Sequence, residues 1–235
     1  MEVTLLSFTP EPEFIIASAA KASTSKLRAE ELRSKLSYEK ICQFLEQLLD
    51  SGHLSPFEHV SFTFEISGIS RACSHQLVRH RLASYTQQSQ RYVSLEDLNY
   101  VTPSTIAFKP EIKAKFQKMV QATHELYSQM LEAGIPAEDA RYVLPQAVET
   151  KLVMTMNARE LLHAAGLRLC QRSQWEIREL FQQIKAEVKK VAPFIGESLQ
   201  PKCYRLGYCD ERESCGLFPT REEAERQGLI ISKSK

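Results

Sequence analysis

The sequence predicts a mixed fold of helices and a few strands, built as one domain over residues 1–200 with an irregular, cysteine-containing tail over 201–235. Three observations carry this. Val60-Ser61-Phe62-Thr63-Phe64-Glu65-Ile66 alternates apolar and polar, the signature of a half-buried strand. Apolar residues recur at the helical period over 38–50, 110–133 and 173–192. No internal repeat or low-complexity linker divides the 235 residues, a length that can bury a sizeable core.

Residues 2–8 suit a strand, and 12–22 and 27–35 suit helices. Ile41, Leu45, Leu48 and Leu49 mark a helix over 38–50, stopped by Gly52. The segment Gly52 to His59 joins that helix to the strand beginning at Val60, and such junctions often carry function. Ile69 to His80 reads as a helix that sets Gln76, Arg79 and His80 on one face. Residues 87–92 suit extended chain, and 98–108 are irregular around Pro103. Ile112, Phe116, Met119, Val120, Tyr127, Met130 and Leu131 form the stripe of a helix over 110–133, capped by Gly134, with His124 on its exposed side. Residues 138–145 form a short helical turn ended by Pro145, and 147–155 a strand. Asn157 caps a helix running to about Gly166, with Arg159 and His163 one turn apart. The helix over 173–192 meets Pro193, and the chain from 200 onward is irregular.

Composition narrows the class. The hydrophobic fraction is 43% and the charged fraction 25%, ordinary for a soluble globular protein. A net charge of +1 argues against broad nucleic-acid binding. No stretch has the apolar length of a membrane span, and Met1-Glu2-Val3-Thr4 does not open a secretory signal. The six cysteines do not form the framework of a small secreted domain, so the chain reads as cytoplasmic with reduced thiols. No two of the eight glycines lie within five positions of each other, which excludes a glycine-rich phosphate cradle.

Residues 79–92 are the densest chemical feature. Three arginines, one histidine, five hydroxyls and three amides fall there without a carboxylate. Arginine presents a planar fork that fits phosphate or carboxylate at two points. The run therefore reads as a site for a small anion, or else as a solvated basic loop. Ser89 lacks a base and an orienting group in the pattern of a nucleophile. Cys203, Cys209 and Cys215 are spaced six apart, without the usual close pairs and without a fourth ligand. They read as idle thiols, and no metal is expected. His59 and His75 read as structural.

Arg79-His80-Arg81 followed after seven residues by Ser89 resembles the R-H-R-x7-S signature of the flavin-dependent thymidylate synthases. Gly52-His53 with Ser55-Pro56-Phe57-Glu58-His59, Ala140-Arg141-Tyr142-Val143-Leu144-Pro145, and Asn157-x-Arg159 with Leu167-Arg168 and Gln174-Trp175-Glu176-Ile177 are similar to further motifs of that family. The match runs in order from about 50 to 180. The resemblance implies an α+β fold, a mostly antiparallel sheet flanked by helices, in a homotetramer with shared active sites. It implies methylation of dUMP to dTMP, with methylenetetrahydrofolate as carbon donor and a hydride from FAD that NADPH has reduced.

By the same resemblance His53, Ser55, Arg79, His80, Arg81, Gln87, Asn157, Arg159 and His163 would contact FAD. Gln76, Arg79, Gln87, Gln88, Ser89, Gln90, Arg91 and Arg141 would hold dUMP, and Arg168 would polarise the uracil ring. Gln87 stands where some members carry glutamate, and Arg172 where some carry histidine. The rival class is a non-enzymatic binder of nucleotides or RNA using Arg79, Arg81, Arg91 and Tyr92 as a platform. A flavoprotein acting on another substrate is the second alternative. A yellow preparation separates enzyme from binder.

Overall fold

The structure, a computed structural model, describes residues 1–92 and 99–229. In chain order the strands are β1 Glu2–Phe8, β2 Ser61–Ser70, β3 Ala83–Gln87 and β4 Glu149–Asn157. The helices are α1 Pro12–Ala22, α2 Ala29–Lys35, α3 Tyr38–Asp50, α4 Arg71–Leu77, α5 Ser104–Ala107, α6 Pro110–Glu132, α7 Ala137–Ala140, α8 Ala158–Arg168, α9 Trp175–Val191, α10 Pro193–Ser198, α11 Lys202–Leu206 and α12 Arg221–Arg226. Short 3-10 turns occupy Ser55–His59 and Arg141–Val143. The four strands form an antiparallel sheet in the order β1-β2-β4-β3, which makes the fold α+β as expected.

The chain groups into two compact units. One comprises Met1–Glu2, Glu65–Arg79 and Tyr85–Met154; the other comprises Val3–Phe64, His80–Ser84 and Thr155–Lys235. In the first unit Ile66, Ile69, Cys73, Leu77, Val120, Tyr127, Val148, Leu152 and Met154 are buried. Ser70 caps α4 by accepting from the Cys73 amide at 3.0 Å. In the second unit Phe62 and Phe64 alternate with Thr63, whose hydroxyl lies 2.9 Å from that of Thr155 across the sheet. Of the predicted stripe of α9, Ile177, Leu180, Phe181, Ile184 and Val188 are buried, and Val191 at its end is half-buried. Gly196 on α10 passes so close to α9 that an added Cβ would lie 2.5 Å from the Lys189 Cα. Buried Glu13 accepts from the Phe194 amide at 3.1 Å, and burial outweighs that bond in raising its pKa.

Several expectations need correction. The helix expected over 69–80 stops at Leu77, where the Tyr85 hydroxyl donates to the Leu77 carbonyl at 3.0 Å. Gln76 is therefore helical, Arg79 lies in the following turn and His80 beyond it, so the shared face is not formed. Sheet pairing recruits 83–87 directly afterwards and leaves no length for another turn. Only Gln87 of the stretch 87–92 is strand, because Gln90–Tyr92 turn. The region expected to be irregular over 98–108 contains α5; residue 98 lies outside the described residues. On α6 only Val120 and Tyr127 are buried, Ile112 and Met119 are exposed, and His124 is half-buried. The tail folds locally into α11 and α12, the latter closed by a capping box between Thr220 and Glu223. Residues 230–235 of the expected irregular tail lie outside the described residues.

Candidate active site

β4 runs into α8 without a loop. Asn157 ends the strand and caps the helix, its side chain accepting from the Glu160 amide at 2.9 Å. Glu160, Ala164 and Arg168 then fall on one helical face at four-residue spacing. Small Ala164 separates the two charged residues, and the ring of His80 bridges them. Arg168 Nε donates to His80 Nε2 at 2.9 Å, and His80 Nδ1 lies 3.4 Å from Glu160 Oε1. Guanidinium has no acceptor, so Nε2 carries the lone pair and Nδ1 carries the proton that faces Glu160.

His80 is 5% exposed and Glu160 7%. Burial, followed by the charges of Arg168 and His163, lowers the His80 pKa to about 4, so the imidazole is neutral near neutral pH. Burial also raises Glu160, against the lowering pull of His163 and Arg159. The edge of His163 and the ring of Phe181 pack on His80, with centroids 6.4 and 6.1 Å away. The result is a fixed guanidinium held by a neutral acceptor.

The same helix borders a groove of about 1040 Å³ in the second unit. Asn157, Arg159, Glu160 and His163 line one part of it, and Phe194, Pro201, Lys202, Tyr204 and Arg205 another. Arg159 is half-exposed and ion-paired with Glu58, which also lines the groove. His53 and Ser55 are exposed at the junction before β2, and Arg81 is exposed after His80.

In the first unit Gln87 donates through its amide to Ser74 Oγ at 3.0 Å and Thr150 Oγ1 at 3.1 Å. Arg91 and Arg141 meet around Glu138: Arg91 Nε is 2.5 Å from its carboxylate, and Arg141 Nε donates to its carbonyl at 2.9 Å. Arg71 is shifted downward by burial and by the charge of Arg141. Ser89 Oγ accepts from the Arg91 amide at 3.1 Å, and the Gln88 amide donates to the Lys151 carbonyl at 2.9 Å. Gln76 and Gln90 are half-buried, and Arg79 is exposed.

The structure thus brings His80, His163 and Arg168 together in one unit, and Arg91 and Arg141 in the other. Sequence reading passed over Glu160, Arg71, Lys202 and Arg205. Glu160 was detectable, because it stands four and eight residues before two positions on its own helix face. Arg71, Lys202 and Arg205 carry no local signal; only packing gathers them.

Residues 4–194 match the family described as "Thymidylate synthase complementing protein". A flavin-dependent thymidylate synthase of Geobacter sulfurreducens is 47% identical over 213 residues, spanning 90% of this chain and 91% of its own length. Another from Pyrococcus abyssi is 46% identical over 241 residues and 99% of both chains. A crystal structure of the UMP/dUMP methylase PolB from Streptomyces cacaoi, bound with 5-Br dUMP, superimposes with a TM-score of 0.76. It is 26% identical and spans 84% of this chain and 93% of its own.

Proposed function

The chain belongs to the family of flavin-dependent thymidylate synthases, and from that premise we propose that it converts dUMP to dTMP in the cytoplasm, with methylenetetrahydrofolate as the carbon donor. The observation that carries this reading is the guanidinium of Arg168, held by neutral His80 at the end of α8. C5 of uracil is a poor nucleophile. A fixed positive charge beside the ring stabilises the negative charge that develops as C5 becomes reactive, a contribution of several kcal/mol in a water-excluded site. Arginine keeps its proton and acts as an electrostatic clamp, so no enzyme nucleophile is needed.

The groove fits a flavin dinucleotide in size and donor set. Arg159, Lys202 and Arg205 suit a pyrophosphate, Leu162, Leu167 and Tyr204 suit flat apolar rings, and Glu46, Asp50 and Glu58 can accept from ribose hydroxyls. His53, Ser55, Arg79, Arg81, Gln87, Asn157, Arg159 and His163 hold the FAD in this proposal. His80, buried with both ring nitrogens facing protein groups, serves as a positioning residue for Arg168 in place of the flavin contact expected from sequence. Once reduced by NADPH, bound FAD would supply the hydride. Arg91 and Arg141 grip the nucleotide phosphate, with Gln76, Arg79, Gln87, Gln88, Ser89 and Gln90 around the rest of dUMP. Their gathering around Glu138 supports this role: an incoming phosphate replaces its carboxylate as the partner of Arg91 and its carbonyl as the partner of Arg141.

A homotetramer with shared sites completes the proposal. Ile112, Met119 and Leu126 repeat at seven-residue spacing on α6 and are 47%, 52% and 46% exposed, an apolar stripe suited to a second subunit. Tritium release from dUMP labelled at C5, assayed with the folate and with or without FAD and NADPH, tests the activity. Release that requires every component is expected. No release from a flavin-loaded preparation with all components present refutes the proposal.

A further inference from the structure

We propose that the tail carries a structural zinc site made by the thiolates of Cys170, Cys203, Cys209 and Cys215. The tail alone offers three evenly spaced cysteines. The fold supplies the fourth: Cys170 lies two residues past the end of α8 and lines the same small cavity as the other three. Four sulfurs from two separate segments is the ligand set of a closed structural zinc centre. The cavity holds about 20 Å³, room for one occupant the size of a water or an ion and too little for an iron–sulfur cluster.

A second observation points the same way. Across described residues 201–229 only Cys209 and Ala224 are buried apolar residues. So small a core leaves the segment to be held by contacts outside itself, such as Lys202 against Gly166 and Arg172 with Glu213, and a metal staple would add to these. Yet the segment is closely organised. The Cys209 amide donates to the Pro219 carbonyl at 2.7 Å, Ser214 Oγ donates to the Phe218 carbonyl at 3.2 Å, and the Tyr204 and Phe218 rings meet edge to face. Gly216 follows Cys215 with φ +83, a turn in which its amide donates to Ser214 Oγ at 3.1 Å.

Among the described residues no three His, Cys, Asp or Glu side chains are grouped tightly enough to share an ion as they stand. Protonated thiols have no cause to converge. On binding, each S–H bond breaks, four protons pass to solvent, and four Zn–S bonds form at about 2.3 Å. The centre then carries a net charge of −2, beside a Lys202 that is shared with Asp210 at 2.7 Å and Glu211 at 3.8 Å, all three lining the cavity. Gly166, Pro201 and Lys202 border both this cavity and the large groove. The metal therefore braces a wall of that groove against the end of α8.

Elemental analysis of the purified full chain tests this, with cobalt substitution and Cys170→Ser alongside Cys42→Ser as the control. The expected result is close to one zinc per chain without acid-labile sulfide. Cobalt should give the absorption of a tetrahedral thiolate centre. Cys170→Ser should weaken zinc binding on the order of 100-fold or more, with Cys42→Ser unchanged. Should Cys170→Ser fail to fold, the wild-type chain stripped by a chelator under reducing conditions decides: protease should then cut within 201–229 and zinc should restore protection. Absence of bound zinc after reconstitution, iron with sulfide, full zinc retention by folded Cys170→Ser, or a tail equally resistant with and without metal each overturns the proposal.

Discussion

At the scale of single residues, His80 decides the chemistry of its surroundings. A charged imidazole would repel Arg168; the neutral one accepts from it. Arg168→Ala should lower turnover about 100- to 1000-fold while flavin still binds, as measured by steady-state kinetics and flavin absorbance. Ser89→Ala should retain measurable turnover, because its hydroxyl already serves a turn by accepting from the Arg91 amide. Complete inactivity of a flavin-loaded Ser89→Ala enzyme would return the serine to candidacy as a nucleophile. The pKa of His80 also sets a pH dependence. It lies at about 4 in the folded chain against an ordinary 6.5, so the unfolded chain binds the proton first. Its contribution to stability is complete above 6.5 and lost as pH falls toward 4. Glu160, raised by burial, acts with the opposite sign, favouring the folded state at low pH until its carboxyl ionises. The histidine by itself corresponds to a loss of about 2 kcal/mol between pH 7 and pH 5, which Glu160 reduces and His80→Gln removes. Denaturant titrations at the two pH values measure this; equal slopes for both proteins would contradict it.

At the scale of elements, the direct passage of β4 into α8 places the site residues. Asn157 serves as strand end and helix cap at once, so Asn157→Ala should cost about 1 kcal/mol in thermal or denaturant unfolding. The junction of α9 and α10 is more demanding. A Cβ at Gly196 meets the Lys189 backbone, which has no flexible end to move aside. Gly196→Ala should therefore destabilise by about 3 kcal/mol, read as a lower denaturant midpoint. A midpoint unchanged from wild type would mean that the two helices separate freely.

For the molecule as a whole, the stripe on α6 bears on assembly. Ile112, Met119 and Leu126 join no core among the described residues, although the period of the first two announces a buried face. Met119→Lys should split the proposed tetramer into smaller species, with the change in mass seen by light scattering after size exclusion. A wild-type chain that elutes as a monomer would remove the ground for shared sites. Among the described residues no helix is long and apolar enough to cross a membrane.

Local physics determined much of this chain. Period marks α3, α6 and α9, alternation marks β2, and Arg168 and its neighbours stand in a legible motif. Such signals act between residues a few positions apart. Tertiary structure alone decided that α4 ends at Leu77, that α6 leaves Ile112 and Met119 of its stripe exposed, and that His80 turns inward to join Glu160 and Arg168, which lie 80 and 88 residues further along the sequence. It also brought Cys170 to the three thiols of the tail. Burial and long-range pairing set these outcomes, and neither leaves a mark in a local window because the partner lies elsewhere in the chain.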